Sequence, residues 1–377
     1  MNKRVGVIGG GQLAWMMAQI ASQENIDLVI QTPSPSDSAV SLASKTIFGS
    51  INDAKMTAEL AKSCDVITFE NEFVNVEELQ KLADKGVTFY PRLSSLSPLL
   101  DKYEQRCFLQ QQGLPTPHFK AYESASDFDD FSFPLVLKTR RHGYDGQGTI
   151  IIKSTSELTS ILPKFDNIPL LIEEFVPFDR ELAVIGVRNT LGEMKIYPVV
   201  ETYQKNQVCR WVIAPTMLTT SQQEAVNSIV HKLLISLNYV GVLGIELFLT
   251  KDGEILVNET APRTHNSGHY TLDACVTSQF AMQLQAVTGE KLGNVDLKSS
   301  GAVMVNLLGF ENAYSDYQEK REKIEKLGTF VHWYGKNESR SGRKLGHVTM
   351  LLDEDTPQKI EEKGKLIAQQ IESIWYS

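Results

Sequence analysis

An α/β fold that passes into α+β is predicted for this 377-residue chain from three features of its sequence. The chain opens with an apolar run, a glycine triplet and an apolar stripe at helical spacing. Strand-like and helix-like segments then alternate to about residue 95, and beyond Phe133 strands crowd together with few helices between them. Composition agrees. Hydrophobic residues make up 42% and charged residues 22%, which excludes disorder, collagen-like repeats and a disulfide scaffold, and the length is enough for two or three domains with clefts between them.

Arg4 to Ile8 reads as a strand, and Leu13, Met16, Met17 and Ile20 recur at the spacing of a helix. Apolar runs at Asp27 to Ile30 and around Asp65 to Phe69, with a helix from Asp53 to Lys62 between them, continue the alternation that builds a parallel sheet. Pro91 to Pro98 breaks the pattern, so the first domain is expected over 1–97. A polar helix from about Asp101 to Gln112 begins the second, 98–294. Strands at PLVLKT, TIIIK, PLLIEEF and ELAVIGV follow, with a helix near Gln222 to Leu237. The charged stretch Asn312 to Leu327, strands at GTFVHWYG and GHVTMLL, and a last helix near Thr356 to Ile374 predict a small β-rich third domain over 295–377. No internal repeat and no low-complexity tract is present.

A formal charge of −9 offers no broad platform for nucleic acid or an anionic membrane, so phosphate recognition must come from local clusters. Cys64, Cys107, Cys209 and Cys275 lie far apart with no metal-ligand spacing, which fits reduced, buried thiols in a cytoplasmic protein. Lys3 and Arg4 before an apolar stretch imitate a secretion signal, but the glycines interrupt it. No run of 18 apolar residues exists to span a membrane.

Five stretches can carry chemistry. GGGQLA, Gly9 to Ala14, aims free N–H groups at a helix N-terminus, where an anion is favoured. The second strand ends at Gln31 with no acid nearby, which disfavours NAD and leaves either another ligand or glycines needed only for packing. LVLKTRRHGYDGQGT puts Lys138 on a strand that runs into the loop Gly143, Gly146, Gly148. A lysine and a main-chain cradle suit ATP, a solvated hairpin is the alternative, and the spacing is not that of a P-loop.

Lys251-Asp252-Gly253-Glu254 lies between two strands, and Asp-Gly predicts a two-residue hairpin turn. Counting outward from Lys251 opposite Glu254 sets Leu249 against Leu256, Leu247 against Asn258, and Glu246 against Glu259. Two facing carboxylates repel unless neutralised, and paired hard oxygens suit Mg²⁺ beside phosphates; a solvated face is the alternative. APRTHNSGHY then supplies Arg263, His265, Asn266, Ser267 and His269, a density of donors that suggests an oxyanion pocket. Zinc on His265 and His269 is disfavoured because the glutamate of HExxH is missing, and Ser267 lacks a nucleophile elbow. Last, YGKNESRSGRKLGH gathers Lys336, Arg340, Arg343, Lys344 and His347 against Glu338, a site for a phosphate monoester or merely a solvated basic turn.

Taken together, GGGQL, DVITFENE, KTRRHGYDGQG, EEFVPFDREL, NETAPRTHNSGHYT, TSQF and GRKLGH, in that order over nearly the whole chain, resemble the ATP-grasp superfamily. Within it they are similar to the N5-carboxyaminoimidazole ribonucleotide synthetase family. The resemblance implies a Rossmann-like N-terminal domain, an ATP-grasp central domain, and a C-terminal domain that completes the ribonucleotide site. It implies ATP-dependent carboxylation of 5-aminoimidazole ribonucleotide with bicarbonate through carboxyphosphate, giving ADP and phosphate in purine biosynthesis, by a homodimer using ATP and two Mg²⁺.

By the same resemblance, Arg106 and Lys138 would contact the ATP phosphates, and the loop Gly143, Tyr144, Asp145, Gly146, Gln147, Gly148, Thr149 would cover them. Glu173 and the Val176 main chain would read the adenine, in the segment that also brings Glu174 and Phe175 to the nucleotide, and Glu181 would hold the ribose. Glu246 and Glu259 would hold Mg²⁺. Asn258 belongs to the nucleotide site, although strand alternation turns it to the opposite face. Arg263, His265 and Asn266 would hold bicarbonate or its phosphorylated form. Asp145 would meet the amine of the ribonucleotide, Lys336, Arg343 and Lys344 its phosphate, and Gln12, Glu72 and Ser267 would line its pocket. The sequence departs from the family pattern at His142 and Gln147 in the glycine loop, at Ala14 and Trp15 where Gly and a basic or polar residue are common, at Thr264 in place of a Pro, and at Thr202 and Gln204 where an Asn and a His are expected. Another ATP-grasp ligase, such as a formate-dependent glycinamide ribonucleotide transformylase, and a non-catalytic nucleotide-binding regulator are the alternatives.

Overall fold

The computed structural model describes residues 2–141, 148–336 and 338–377. Its first unit is a four-stranded parallel sheet in the order Lys45–Phe48, Ile26–Thr32, Lys3–Ile8, Val66–Phe69. The helix Gln12–Ala21 buries Leu13, Met16 and Met17 on that sheet, as the spacing predicts. Several elements escape the sequence reading, two of them here. Lys45–Phe48 is a short, half-buried edge strand, and Val76–Ala83 is a helix with one buried residue, Leu79, so neither carries a strong apolar period. Helix starts follow their caps: Asp53 accepts from Lys55 and Met56, and Asp101 from Tyr103 and Glu104.

A second, antiparallel sheet runs Phe119–Tyr122, Leu170–Glu174, Leu135–Thr139, Thr149–Ile152. The third sheet is the largest. Its order is Ile255–Ala261, Gly241–Thr250, Phe178–Arg188, Val200–Lys205, Val208–Ala214, Gly301–Leu308, Lys344–Leu352, Phe330–Trp333, with Met194–Ile196 beside Phe178–Arg188. The C-terminal strands therefore continue the central sheet without a break, through pairing of Trp211 with Val305 and of Ala214 with Ala302.

Helices cover this sheet in two places. Thr220–Ser236 sets Val226, Ile229, Val230, Leu233 and Leu234 into a core with Leu243, Ile245 and Leu247, each such side chain contributing about 1.5–3 kcal/mol. Pro357–Trp375 buries Ile360, Ile367, Ile371 and Trp375 against Val303 and Val305, and the Trp375 indole donates to the Leu308 carbonyl at 2.7 Å. Among the described residues no helix is long and apolar enough to cross a membrane. Cys275 is buried, whereas Cys64, Cys107 and Cys209 are only half-buried, and none of the four is in a disulfide.

Candidate active site

A cleft of about 640 Å³ opens where the three sheets meet. The small sheet contributes Val136, Lys138, Thr149, Ile151 and the run Glu173, Glu174, Phe175, Val176; the large one contributes Phe178, Glu181, Glu246, Phe248, Asn258 and Glu259. Gln12, Glu70 and Glu72 reach it from the first unit, Arg263, His265, Asn266 and Ser267 from the loop after the hairpin, and Lys336 and Lys344 from the C-terminal strands. Most of the expected residues are thus brought together. Gly143, Tyr144, Asp145, Gly146 and Gln147, with His142, lie outside the described residues.

The hairpin brings Glu246 opposite Glu259, but by a different register from the one counted above. Leu249 faces Ile255 and Leu247 faces Val257, so the pairings with Leu256 and Asn258 are corrected. The turn is not a two-residue one: Gly253 N–H donates to Thr250 O at 3.0 Å, Thr250 N–H to Glu254 O at 2.9 Å, and Gly253 sits at φ +86°. That is a type I turn closed by a left-handed glycine, one residue out of step with the count. A bulge at Asn258 shifts the ladder back between Leu247 and Glu246.

Two offsets cancel, and the bulge also corrects the facing of Asn258. Asn258 and Glu259 are consecutive yet both half-buried toward the cleft, and Asn258 Nδ2 donates to Glu246 Oε2 at 3.3 Å. The helix Lys102–Gln111 holds the bulge from the sheet edge. Gln105 accepts from Thr260 N at 2.8 Å and donates to Thr260 O at 3.2 Å, and Arg106 donates to Val257 O at 3.2 Å.

Opposite charges are packed closely in the cleft. Glu173 receives Arg106 Nε at 2.5 Å and Lys138 Nζ at 2.6 Å. Burial pushes the Glu173 carboxyl up, but the two cations outweigh it and hold it down at about 2. Burial, only partly offset by Glu173, holds the Lys138 ammonium below its usual value. Arg106 is 2% exposed and lies beneath the wall of the cleft rather than on it. Lys102, which sequence reasoning missed, stands on the wall with Nζ 2.6 Å from Glu259 Oε1. Burial opposes ionisation of Glu246, yet His265 Nε2 at 3.4 Å and the charges of Lys102 and Lys138 keep its carboxyl below the ordinary value. Glu181 has no such partner: burial, and then Glu246, raise it to about 7. Phe178 and Phe248, also missed, stack at 4.9 Å as an apolar wall, and Phe248 was readable two residues beyond Glu246 on the same face.

The donor loop is fixed from behind. Gln279 accepts from His265 N at 2.9 Å and donates to His265 O at 2.7 Å. A Cβ on Gly244 would lie 2.5 Å from the His265 Cβ, so the loop can rest on the hairpin only because residue 244 is glycine. Arg263 Nε donates to Glu72 Oε2 at 2.7 Å, His265 Nδ1 meets Ser267 Oγ at 2.8 Å, and Asn266 exchanges hydrogen bonds with Asn306 at 2.9 and 2.8 Å. The anion expected at the N-terminal glycines is internal: Gly11 N and Leu13 N donate to the Glu70 carboxylate at 2.8 and 3.2 Å, and a Cβ on Gly11 would fall 2.5 Å from it.

Of the basic C-terminal cluster, Lys336 donates to Gln12 Oε1 at 2.5 Å and to Lys344 O at 2.9 Å. Arg343 is paired with Glu338 at 2.9 Å and does not line the cleft. Asp273, His332 and His347 each place one ligand-type atom within 4.8 Å of the others. The two rings stack at 4.6 Å and 15°, so their in-plane lone pairs run nearly parallel and do not converge on one ion. His332 Nε2 is instead engaged by Asp273 Oδ2 at 2.9 Å.

Comparison with known proteins matches three families along the chain: the ribonucleotide synthetase preATP-grasp domain over 1–98, the ATP-grasp domain over 107–280, and the phosphoribosylaminoimidazole carboxylase C-terminal domain over 302–362. The N5-carboxyaminoimidazole ribonucleotide synthase of Synechocystis sp. is 54% identical over 99% of this chain and 98% of its own length. The crystal structure of the synthetase from Thermotoga maritima superposes with a TM-score of 0.87 at 38% identity, covering 98% of each chain. That of the synthase from Aspergillus clavatus in complex with ADP and 5-aminoimidazole ribonucleotide superposes at 0.90 with 27% identity, covering 99% of each.

Proposed function

Because this chain belongs to the N5-carboxyaminoimidazole ribonucleotide synthase family, we propose that the cleft residues described above carry that family's chemistry. The protein is an ATP-dependent ligase that carboxylates 5-aminoimidazole ribonucleotide in purine biosynthesis. The observation that carries the assignment of roles is the facing pair Glu246 and Glu259, in which Glu259 meets Lys102 and Glu246 meets His265.

Two carboxylates and an amide oxygen form a hard-oxygen set suited to Mg²⁺, and Lys102 and His265 stand beside these carboxylates as cations or hydrogen-bond donors. Glu246 and Glu259, with Asn258, would hold Mg²⁺, which would supply charge neutralisation to the phosphates. The remaining work falls to the protein. Phe178 and Phe248 provide a face for the adenine, Glu173 to Val176 its edge, and Glu181 the ribose hydroxyls. Lys138 and Lys102 offset the triphosphate charge, while Arg106 acts from below by holding Glu173.

A bicarbonate oxygen held by Arg263, His265 and Asn266 attacks the γ-phosphorus, and ADP leaves with the bonding pair. The exocyclic amine, which Asp145 would meet, then attacks the carbonyl carbon of carboxyphosphate. Phosphate leaves as the N–C bond forms, and the amine gives up a proton. Lys336 and Lys344 grip the ribonucleotide phosphate, with Gln12, Glu72 and Ser267 around the ring, and Arg343 joins them on release from Glu338. Positioning and charge supply the rate, with no protein nucleophile. Four cysteines outside any disulfide support a reducing, cytoplasmic location, and exposed Leu42 and Phe48 on the first unit support its use in a homodimer, which sedimentation would test. The functional test is ADP release measured with ATP, bicarbonate and 5-aminoimidazole ribonucleotide each omitted in turn; full ADP release without the ribonucleotide and bicarbonate refutes the reading.

A further inference from the structure

The strands Val200–Lys205 and Val208–Ala214 are joined by a two-residue turn, since Lys205 pairs with Val208. Both turn residues are left-handed, Asn206 at φ 54° and Gln207 at φ 61°. Such a turn favours Asn followed by Gly, because a side chain at the second position crowds the backbone. Asn206 obeys the preference and Gln207 does not.

Gln207 uses its side chain. Its Nε2 donates to the Thr149 carbonyl at 3.1 Å. Thr149 begins an edge strand of the small sheet, directly after the glycine loop, and it pairs with Lys138. One hydrogen bond therefore joins the large sheet, which bears Glu246 and Glu181, to the strand pair that carries the phosphate lysine and the loop. Gln204 and Thr202 of the same hairpin line the cleft too. The strained conformation is kept at a position whose side chain reaches across the nucleotide site.

We propose that Gln207 is a positioning residue for ATP, tying the Thr149 strand, and with it the paired Lys138 strand, to the large sheet while nucleotide is bound. The inference rests on the reading of this cleft as the ATP site. The hairpin tip keeps a side chain where turn chemistry favours glycine: an Asn-Gly turn in this place would relax the backbone and release the Thr149 strand.

The test separates a structural role from this one. Gln207→Gly suits the turn, and Gln207→Glu keeps length and backbone but replaces the donor with an acceptor. Both are assayed for KM and kcat in the three-substrate reaction, with thermal unfolding alongside. Gln207→Gly is expected to melt no lower than wild type and yet to raise KM for ATP about two- to tenfold, the span of one lost neutral hydrogen bond. Gln207→Glu is expected to raise it at least as much, with KM for bicarbonate and for the ribonucleotide unchanged in both. An unchanged KM for ATP in the two variants overturns the proposal, as does a loss in Gln207→Gly that tracks a lowered melting temperature. Wild-type protein that releases no ADP with all three substrates would overturn the reading of the cleft instead.

Discussion

Asn258 Nδ2 lies 3.3 Å from Glu246 Oε2, on the face of the hairpin from which simple alternation would exclude it. The bulge at Asn258 makes three consecutive roles compatible: Val257 enters the core, Asn258 turns to the cleft, and Glu259 stays opposite Glu246. Lys138 Nζ, 3.4 Å from Asn258 Oδ1, ties this corner to the small sheet.

Removing either carboxylate charge should stop phosphoryl transfer while leaving the fold intact. Glu246→Gln and Glu259→Gln are expected to lower ADP release by about 100-fold or more, because charge neutralisation at the phosphates is what such sites supply. Steady-state ADP formation, with circular dichroism as a control for folding, checks this.

Gly244 allows the His265 loop to rest on the hairpin, where a Cβ would sit 2.5 Å from the His265 Cβ. Gly244→Ala should displace the loop and cost about tenfold in kcat, since a misplacement near 1 Å weakens near-attack geometry, for a stability loss of about 1–3 kcal/mol. Rate measurements at saturating substrate and urea unfolding separate the two effects.

The buried Glu173 carboxylate should make the protein acid-sensitive. Its folded pKa, about 2, lies below the ordinary 4.5, so its contribution is complete above pH 4.5 and is lost as the pH falls toward 2. Glu173→Gln leaves Arg106 and Lys138 without their partner and is expected to cost about 3–5 kcal/mol near pH 7. Urea midpoints at pH 7, 5 and 3 should fall for wild type and change less for the variant.

His269 and His347 add a loss at milder pH. Both rings are buried, burial holds each well below 6.5, and neither Nε2 has a hydrogen-bond partner among the described residues. The unfolded chain binds protons that the folded one refuses, so stability rises with pH up to about 6.5 and falls below it, by up to about 1.4 kcal/mol per pH unit for each ring. Unfolding free energies at pH 7.5 and 5.5 should differ in wild type, and His347→Asn should narrow the difference.

Much of this site could be read from sequence, for reasons that differ by residue. The strand–turn–helix at the N-terminus, Lys138 on its strand and the facing glutamates follow from period and turn chemistry. The facing pair was reached through a two-residue turn that is absent and without a bulge that is present, and the errors cancel. Bulges are set by the edge partner, here Gln105 and Arg106 from a helix over 150 residues away, which no local pattern reveals. Lys102 lay within a helix start where Asp101 gave the only evident signal, as an N-cap. Glu70 stood inside a stretch that marked the family, but its pairing with the glycine turn needed the parallel register of Ile8 and Phe69.

The uninterrupted large sheet decides how the enzyme can open. The Glu246 and Glu259 strands and the Lys344 strand belong to one hydrogen-bonded plate, so the facing carboxylates and Lys344 are carried by a single frame. The antiparallel sheet that carries Lys138 and Thr149 shares no strand pairing with that plate among the described residues. Any change in the width of the cleft therefore falls on the side-chain links between the two frames, Lys138 to Asn258 and Gln207 to Thr149.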